Sequence, residues 1–215
     1  MLIVHHLGIS QSERIVWLCE ELEIPYELVR YDRDLETRLA PEEYKALHPF
    51  GTAPVVVDGD VLLAESGAIV DYIITKYGNN RFTLKVDHSK FADYLFWYHF
   101  ANGSMMPAMT IDLVVHLVVK ETKTENPIVN TLRQRAVRSM DLVEKHLSTN
   151  DYFAGTEFTA ADIMMFFPLT TMRAFTPFDL SSYPNIRAYL KRVGARPAYQ
   201  RAMKKGDPDF TPLLN

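Results

Sequence analysis

The spacing of apolar positions changes character near residue 80. Before it, short apolar runs alternate with helical stripes. Leu2 to His6 reads as a first strand. Ile15, Leu18, Cys19 and Leu22 recur at helical spacing, which predicts a helix from about Gln11 to Leu22, with Pro25 in the turn beyond it. "YELVRY" (Tyr26 to Tyr31) alternates and reads as a second strand. "PEEYKALH" (Pro41 to His48) opens with proline at a first-turn position and predicts a short helix. "PVVV" and "VLLA" flank Asp58-Gly59-Asp60, and Asp58-Gly59 is a strong primed-turn signal for a hairpin. Ile69, Tyr72, Ile73 and Tyr77 stripe a third helix starting near Ser66. The order β-α-β-α-β-β-α predicts a small sheet with helices packed on it.

Turn-rich "YGNNR" interrupts the pattern, and every patterned segment beyond it is helical. The division expected is therefore residues 1–80, a linker over 81–87, and an all-α domain over 88–215. Asp87 is placed to cap a helix striped by Phe91, Tyr94, Leu95 and Tyr98, with Gly103 and Pro107 expected to bend it. Asn126-Pro127 starts another helix, to about Leu147. "FTAADIMMFFPLTTMRAF" (Phe158 to Phe175) is apolar on nearly every face, which predicts a buried central helix. Two shorter helices follow, from about Tyr183 and Pro197, before an irregular tail.

Composition narrows the partners. The 215 residues are 47% hydrophobic and 23% charged, an ordinary folded chain with ample core. A net charge of −4 with no Lys/Arg run argues against nucleic acid. The single cysteine, Cys19, excludes an internal disulfide and a cysteine-based zinc cage, and fits a reducing, cytoplasmic setting. The seven histidines show no convincing metal spacing. "MLIVHHLG" is too short for a signal core, and the apolar runs fall short of the ~20 residues that span a bilayer, so no membrane partner is expected.

Read by themselves, the polar motifs are structural. A serine ahead of a helix is an N-cap, which describes Ser10 or Ser12 in "SQSER". Glu65-Ser66 opens a capped helix, though its free N–H groups and the Ser66 hydroxyl also suit a carboxylate ligand. Pro54 starts a strand, and Cys19 lies on an apolar stripe as a buried, inert thiol. Thr159 and Asp162 have capping-box spacing and a folding role.

Taken in order, four stretches point further. "SQSER" (Ser10 to Arg14), "HPFGTAPVVVDGD" (His48 to Asp60), "ESGAIVDYI" (Glu65 to Ile73) and "TAAD" (Thr159 to Asp162) resemble the segments of cytosolic glutathione transferases, serine-type and theta- or phi-like. The similarity covers nearly the whole chain. It implies a thioredoxin-like α/β first domain followed by an all-α second domain, and a homodimer. It implies that the protein activates the thiol of glutathione for attack on a small hydrophobic electrophile. Ser10 would then be a hydrogen-bond donor to sulfur. Arg38, Thr52, Ala53, Pro54, Glu65 and Ser66 would hold the peptide, with Pro54 in cis. Leu7, Ile9, Met105, Met106 and Met109 are expected around the electrophile, between the domains. The absence of sulfur from Ile9 to Ser12 argues against glutaredoxin-like chemistry. The same fold also serves non-catalytic binding modules, and the same thiolate would serve a peroxidase or an isomerase.

Overall fold

The structure, a computed structural model, describes residues 1–119 and 127–215. Asn126 lies outside the described residues; the helix expected after it begins at Pro127.

The chain divides into two compact units. Met1–Thr83 and Val193–Pro212 form the first, and Leu84–Arg192 with Leu213–Asn215 the second. This differs from the division expected from sequence in two ways. Residues 81–83 belong to the first unit and 84–87 to the second, so no separate linker remains. The stretch 193–212 belongs to the first unit rather than to the all-α domain.

In the first unit the strands are β1 (Leu2–Leu7), β2 (Glu27–Tyr31), β3 (Val55–Asp58) and β4 (Val61–Ala64), in the order β2-β1-β3-β4. β1 runs parallel to β2 and antiparallel to β3, and β4 pairs antiparallel with β3. The hairpin turn is Gly59-Asp60, one residue on from the expected pair, and Gly59 takes the left-handed φ of +61°. Helices α1 (Glu13–Leu22), α2 (Glu42–Lys45) and α3 (Ser66–Lys76) complete the β-α-β-α-β-β-α order.

One further helix, α9 (Pro197–Gly206), packs on α1. It explains why α1 is buried almost all round rather than along one stripe. Trp17 meets Tyr199 edge to face at 5.1 Å. Glu21 forks onto Arg196 at 2.6 and 2.8 Å, and Glu20 meets Arg201 at 3.0 Å and Lys205 at 2.5 Å. At the far edge Asp58 accepts from Lys76, Tyr72 and Tyr77, and the Lys76 bond leads in holding its carboxyl well below the usual carboxylate range.

The second unit contains α4 (Phe91–Phe100), α5 (Met106–Val119), α6 (Pro127–Leu147), α7 (Ala160–Leu169) and most of α8 (Pro184–Gly194). Asp87 does not cap α4, which starts later, with Lys90 as its N-cap. Where Gly103 and Pro107 predict a bend, the backbone widens into a π-helical turn over Ala101–Met105, and the Met106 N–H bonds the Ala101 carbonyl. α7 is buried along its whole length. Its start is a closed capping box: Thr159 donates to Asp162 from both N–H (2.8 Å) and hydroxyl (3.2 Å). Asp162 also accepts the Phe153 N–H at 3.0 Å and the Tyr189 hydroxyl at 3.1 Å. Burial pushes the Asp162 carboxyl up to about 6.

Candidate active site

β1 ends at Leu7 and α1 begins at Glu13, and the turn between them is held from several sides. Ile9 has φ +52°, a conformation a β-branched residue adopts only when its surroundings impose it. Here the Ile9 N–H donates to Asp207 Oδ1 at 2.9 Å. The carbonyls of Gly8 and Ile9 accept Arg33 Nε and Nη2 at 2.9 and 3.0 Å. Burial lowers the Arg33 pKa without removing its charge at neutral pH. A side-chain carbon at Gly8 would lie 3.3 Å from Asp207 Oδ1, so glycine suits the close approach.

Neither serine is an ordinary helix cap. Ser12 stands at the N-cap of α1 but makes no side-chain capping bond. Its hydroxyl faces inward to His6 Nδ1 (2.8 Å) and accepts the Leu7 N–H (3.1 Å). Ser10 Oγ accepts the Ser12 N–H at 3.2 Å, an ST-turn, donates to the Leu7 carbonyl at 2.7 Å, and lies 2.7 Å from Ser12 Oγ. Both serines are buried, Ser12 fully and Ser10 nearly so.

Arg14, fully buried, joins this segment to the start of α3. Its Nη1 donates to Gln11 Oε1 at 2.5 Å and reaches Ser66 Oγ at 3.4 Å. Ser66 is buried as the first residue of α3, behind Glu65, whose φ is +71°. The Ala53–Pro54 bond is cis. Ser10, Arg14, Ser66 and Pro54 thus all belong to the first unit, while Thr52 and Glu65 present exposed side chains. Arg38 is exposed on the Asp34–Leu39 loop.

The expected pocket residues divide between the two units. Leu7 packs with Tyr44 and Val55 in the core of the first unit. Met105, Met106 and Met109 are buried in the second unit. Cys19 is fully buried and its thiol pKa is pushed up by that burial, which leaves no reactive thiolate. Sequence reasoning missed His6 and Asp207. The only hint was the adjacent His5-His6 pair, whose rings take opposite faces of β1; His5 reaches the Tyr31 hydroxyl at 3.0 Å. Among the described residues, no three His, Cys, Asp or Glu gather as a metal site, and no helix is long and apolar enough to cross a membrane.

Comparison with known proteins agrees along the whole chain. Residues 1–75 match the family model for the glutathione S-transferase N-terminal domain, and residues 105–197 match that for the C-terminal domain. A protein of Schizosaccharomyces pombe, glutathione S-transferase 3, is 36% identical over 100% of this chain and 92% of its own length. Glutathione S-transferase 1 of Saccharomyces cerevisiae is 31% identical over 94% of each. A solved glutathione S-transferase from Actinobacillus pleuropneumoniae superposes with a TM-score of 0.87 at 34% identity, over 98% of this chain and 97% of that one.

Proposed function

The chain belongs to the glutathione S-transferase family, and from that premise we propose that Ser10 is the hydroxyl that activates the sulfur. The protein is a glutathione transferase with glutathione as co-substrate. A free thiol of reference pKa about 8.5 is mostly protonated at neutral pH, and only the thiolate attacks well. A hydroxyl donating to sulfur favours the charged form, as does the positive end of a helix. Ser10 would combine the two, since it lies just ahead of α1.

The observation that carries this reading is the clamped turn. Asp207 and Arg33 fix the Ile9 backbone from either side, and so fix the residue that follows. The same reading gives the peptide of glutathione to Ala53, Pro54, Glu65 and Ser66. Arg38 and Thr52 serve its carboxylates as exposed, adjustable side chains. A small apolar electrophile is the second substrate, and the protein works in the cytoplasm as a homodimer. Exposed Leu95 and Phe96 on α4 support an assembly, which light scattering would test.

The test of Ser10 is thiolate absorbance on adding glutathione at neutral pH. A signal in the wild type that disappears in Ser10→Ala, with glutathione affinity retained, is the expected result. Equal signals in both proteins would move the role away from Ser10.

A further inference from the structure

His6 and Asp207 take no part in the chemistry so far, yet both lie directly behind Ser10. Ser10 Oγ is 2.7 Å from Ser12 Oγ, Ser12 Oγ is 2.8 Å from His6 Nδ1, and His6 Nε2 is 3.2 Å from Asp207 Oδ2. All four residues are buried. The fit is close: a side-chain carbon at Gly206 would lie 2.9 Å from His6 Nε2.

The protons in this chain can be counted. An ionised carboxylate only accepts, so facing Asp207 the His6 proton sits on Nε2. Nδ1 is then a lone pair, and it takes the Ser12 hydroxyl proton. Ser12 has no second proton for Ser10. The Ser10 proton therefore points inward, to Ser12 Oγ or to the Leu7 carbonyl. At rest, the one hydroxyl proton that can stabilise a thiolate is turned away from the surface.

We propose that His6, through Ser12 and Ser10, takes up the thiol proton of bound glutathione and thereby turns the Ser10 hydroxyl outward onto sulfur. The inference rests on the reading of Ser10 given above. The S–H bond breaks, sulfur keeps the electron pair, and the thiol proton joins Ser10 Oγ. The former Ser10 proton passes to Ser12 Oγ, and the former Ser12 proton to His6 Nδ1. The products are a thiolate, two neutral serines and an imidazolium paired with the Asp207 carboxylate. Every hydroxyl in the chain has reversed, and Ser10 now donates to sulfur. When the thiolate is consumed, the stored proton returns through the serines to the leaving group or to water. His6, Ser12 and Asp207 are positioning residues, since none touches sulfur.

The charges facing this pair come from three elements. Asp207 follows α9. Arg30 of β2 donates to the Gly206 carbonyl at 2.6 Å, with Arg33 beyond it acting on Asp207. Glu13 opens α1, and it acts with Asp207 on the Tyr199 hydroxyl.

The test is proton counting on the wild-type protein. Thiolate absorbance gives the fraction of bound glutathione that is ionised. Calorimetry in buffers of different ionisation enthalpy gives the protons released on binding. S-methylglutathione, which has no thiol proton, is the blank. The relay predicts thiolate with most of its protons retained. It also predicts a His6 Nδ1 that becomes protonated with glutathione and not with the methylated peptide, read by nitrogen NMR. In Ser12→Ala, thiolate at neutral pH falls about tenfold, and each thiol proton lost appears in solution. One proton released per thiolate in the wild type, with His6 unchanged, overturns the relay and leaves Ser10 its role. A Ser12→Ala protein with wild-type thiolate and proton retention overturns it as well. No thiolate in the wild type overturns both readings.

Discussion

Two helices in this chain open with the same spelling, a hydroxyl residue followed three places later by an acid. At α7 the pair is Thr159, the N-cap, and Asp162 in the first turn; at α1 it is Ser10 and Glu13, set two places earlier, since the N-cap there is Ser12. At α7 the box closes: four donors converge on one buried carboxylate. At α1 the hydroxyls turn away from the helix, toward each other, the Leu7 carbonyl and His6. One start uses its polar groups to hold a core. The other keeps a chain of exchangeable protons just beneath the surface. A capping signature therefore states that a helix begins, and its neighbours decide whether the hydroxyl is structural or chemical.

Breaking the structural side should give the largest effect. Asp162→Ala leaves the Phe153 N–H and both Thr159 donors without their acceptor in a buried place. The expected loss is about 4 kcal/mol, which thermal unfolding would register as a fall of roughly 10 °C. A melting temperature within two or three degrees of wild type would contradict the closed box.

Breaking the chemical side should leave folding intact. Ser10→Ala is expected to lower kcat/KM by about 100-fold, the scale seen when one donor to a developing charge is removed, with melting lowered by only a few degrees for its lost bonds to Ser12 and Leu7. A protein that instead unfolds would make Ser10 structural, like Thr159.

Acidity sharpens the contrast. The Asp162 carboxyl keeps its proton up to about 6 in the folded state, against about 3.9 in an unfolded chain. Between those values the folded state binds more protons, so stability falls as pH rises through the window, by on the order of 3 kcal/mol. Asp58 is depressed and runs the other way, its contribution being lost as pH falls below about 4. Denaturation across this range should show the Asp162 slope, and Asp162→Asn should abolish it. The smallest change is Thr159→Ala, at about 1 kcal/mol of stability with activity unaltered.

The elements were legible because each is a local pattern. Ile15, Leu18 and Leu22 announce α1, and Val55 to Ala64 announce the hairpin, with ends shifted by a residue or two. Long-range partners were not legible. The role of α9 rests on Glu20 and Glu21 meeting Arg196, Arg201 and Lys205 across about 180 positions, and neither cluster is unusual by itself. Asp207 sat in a tail that read as irregular, so nothing tied it to His6 or to the backbone of Ile9. The serines were found, but the direction of their hydroxyls depends on a histidine one strand-face away. Leu7 and Met105 are both buried, and sequence alone does not separate their roles, because apolar residues read alike whether they line a pocket or fill a core.

The return of residues 193–212 to the first unit also bears on how the protein is made. A chain leaves the ribosome at about 5–20 residues per second, and contiguous N-terminal domains fold while the rest is still being synthesised. Here the sheet can form early, but the partners of His6, Glu20 and Glu21 emerge only after residues 84–192 of the second unit. The nascent glutathione-binding unit thus passes most of translation with the α9 face of α1 uncovered and the Ile9 turn unclamped. The Ile9 turn gains its Asp207 clamp only once Asp207 has left the tunnel, so the last stretch of chain made completes a turn laid down by the first.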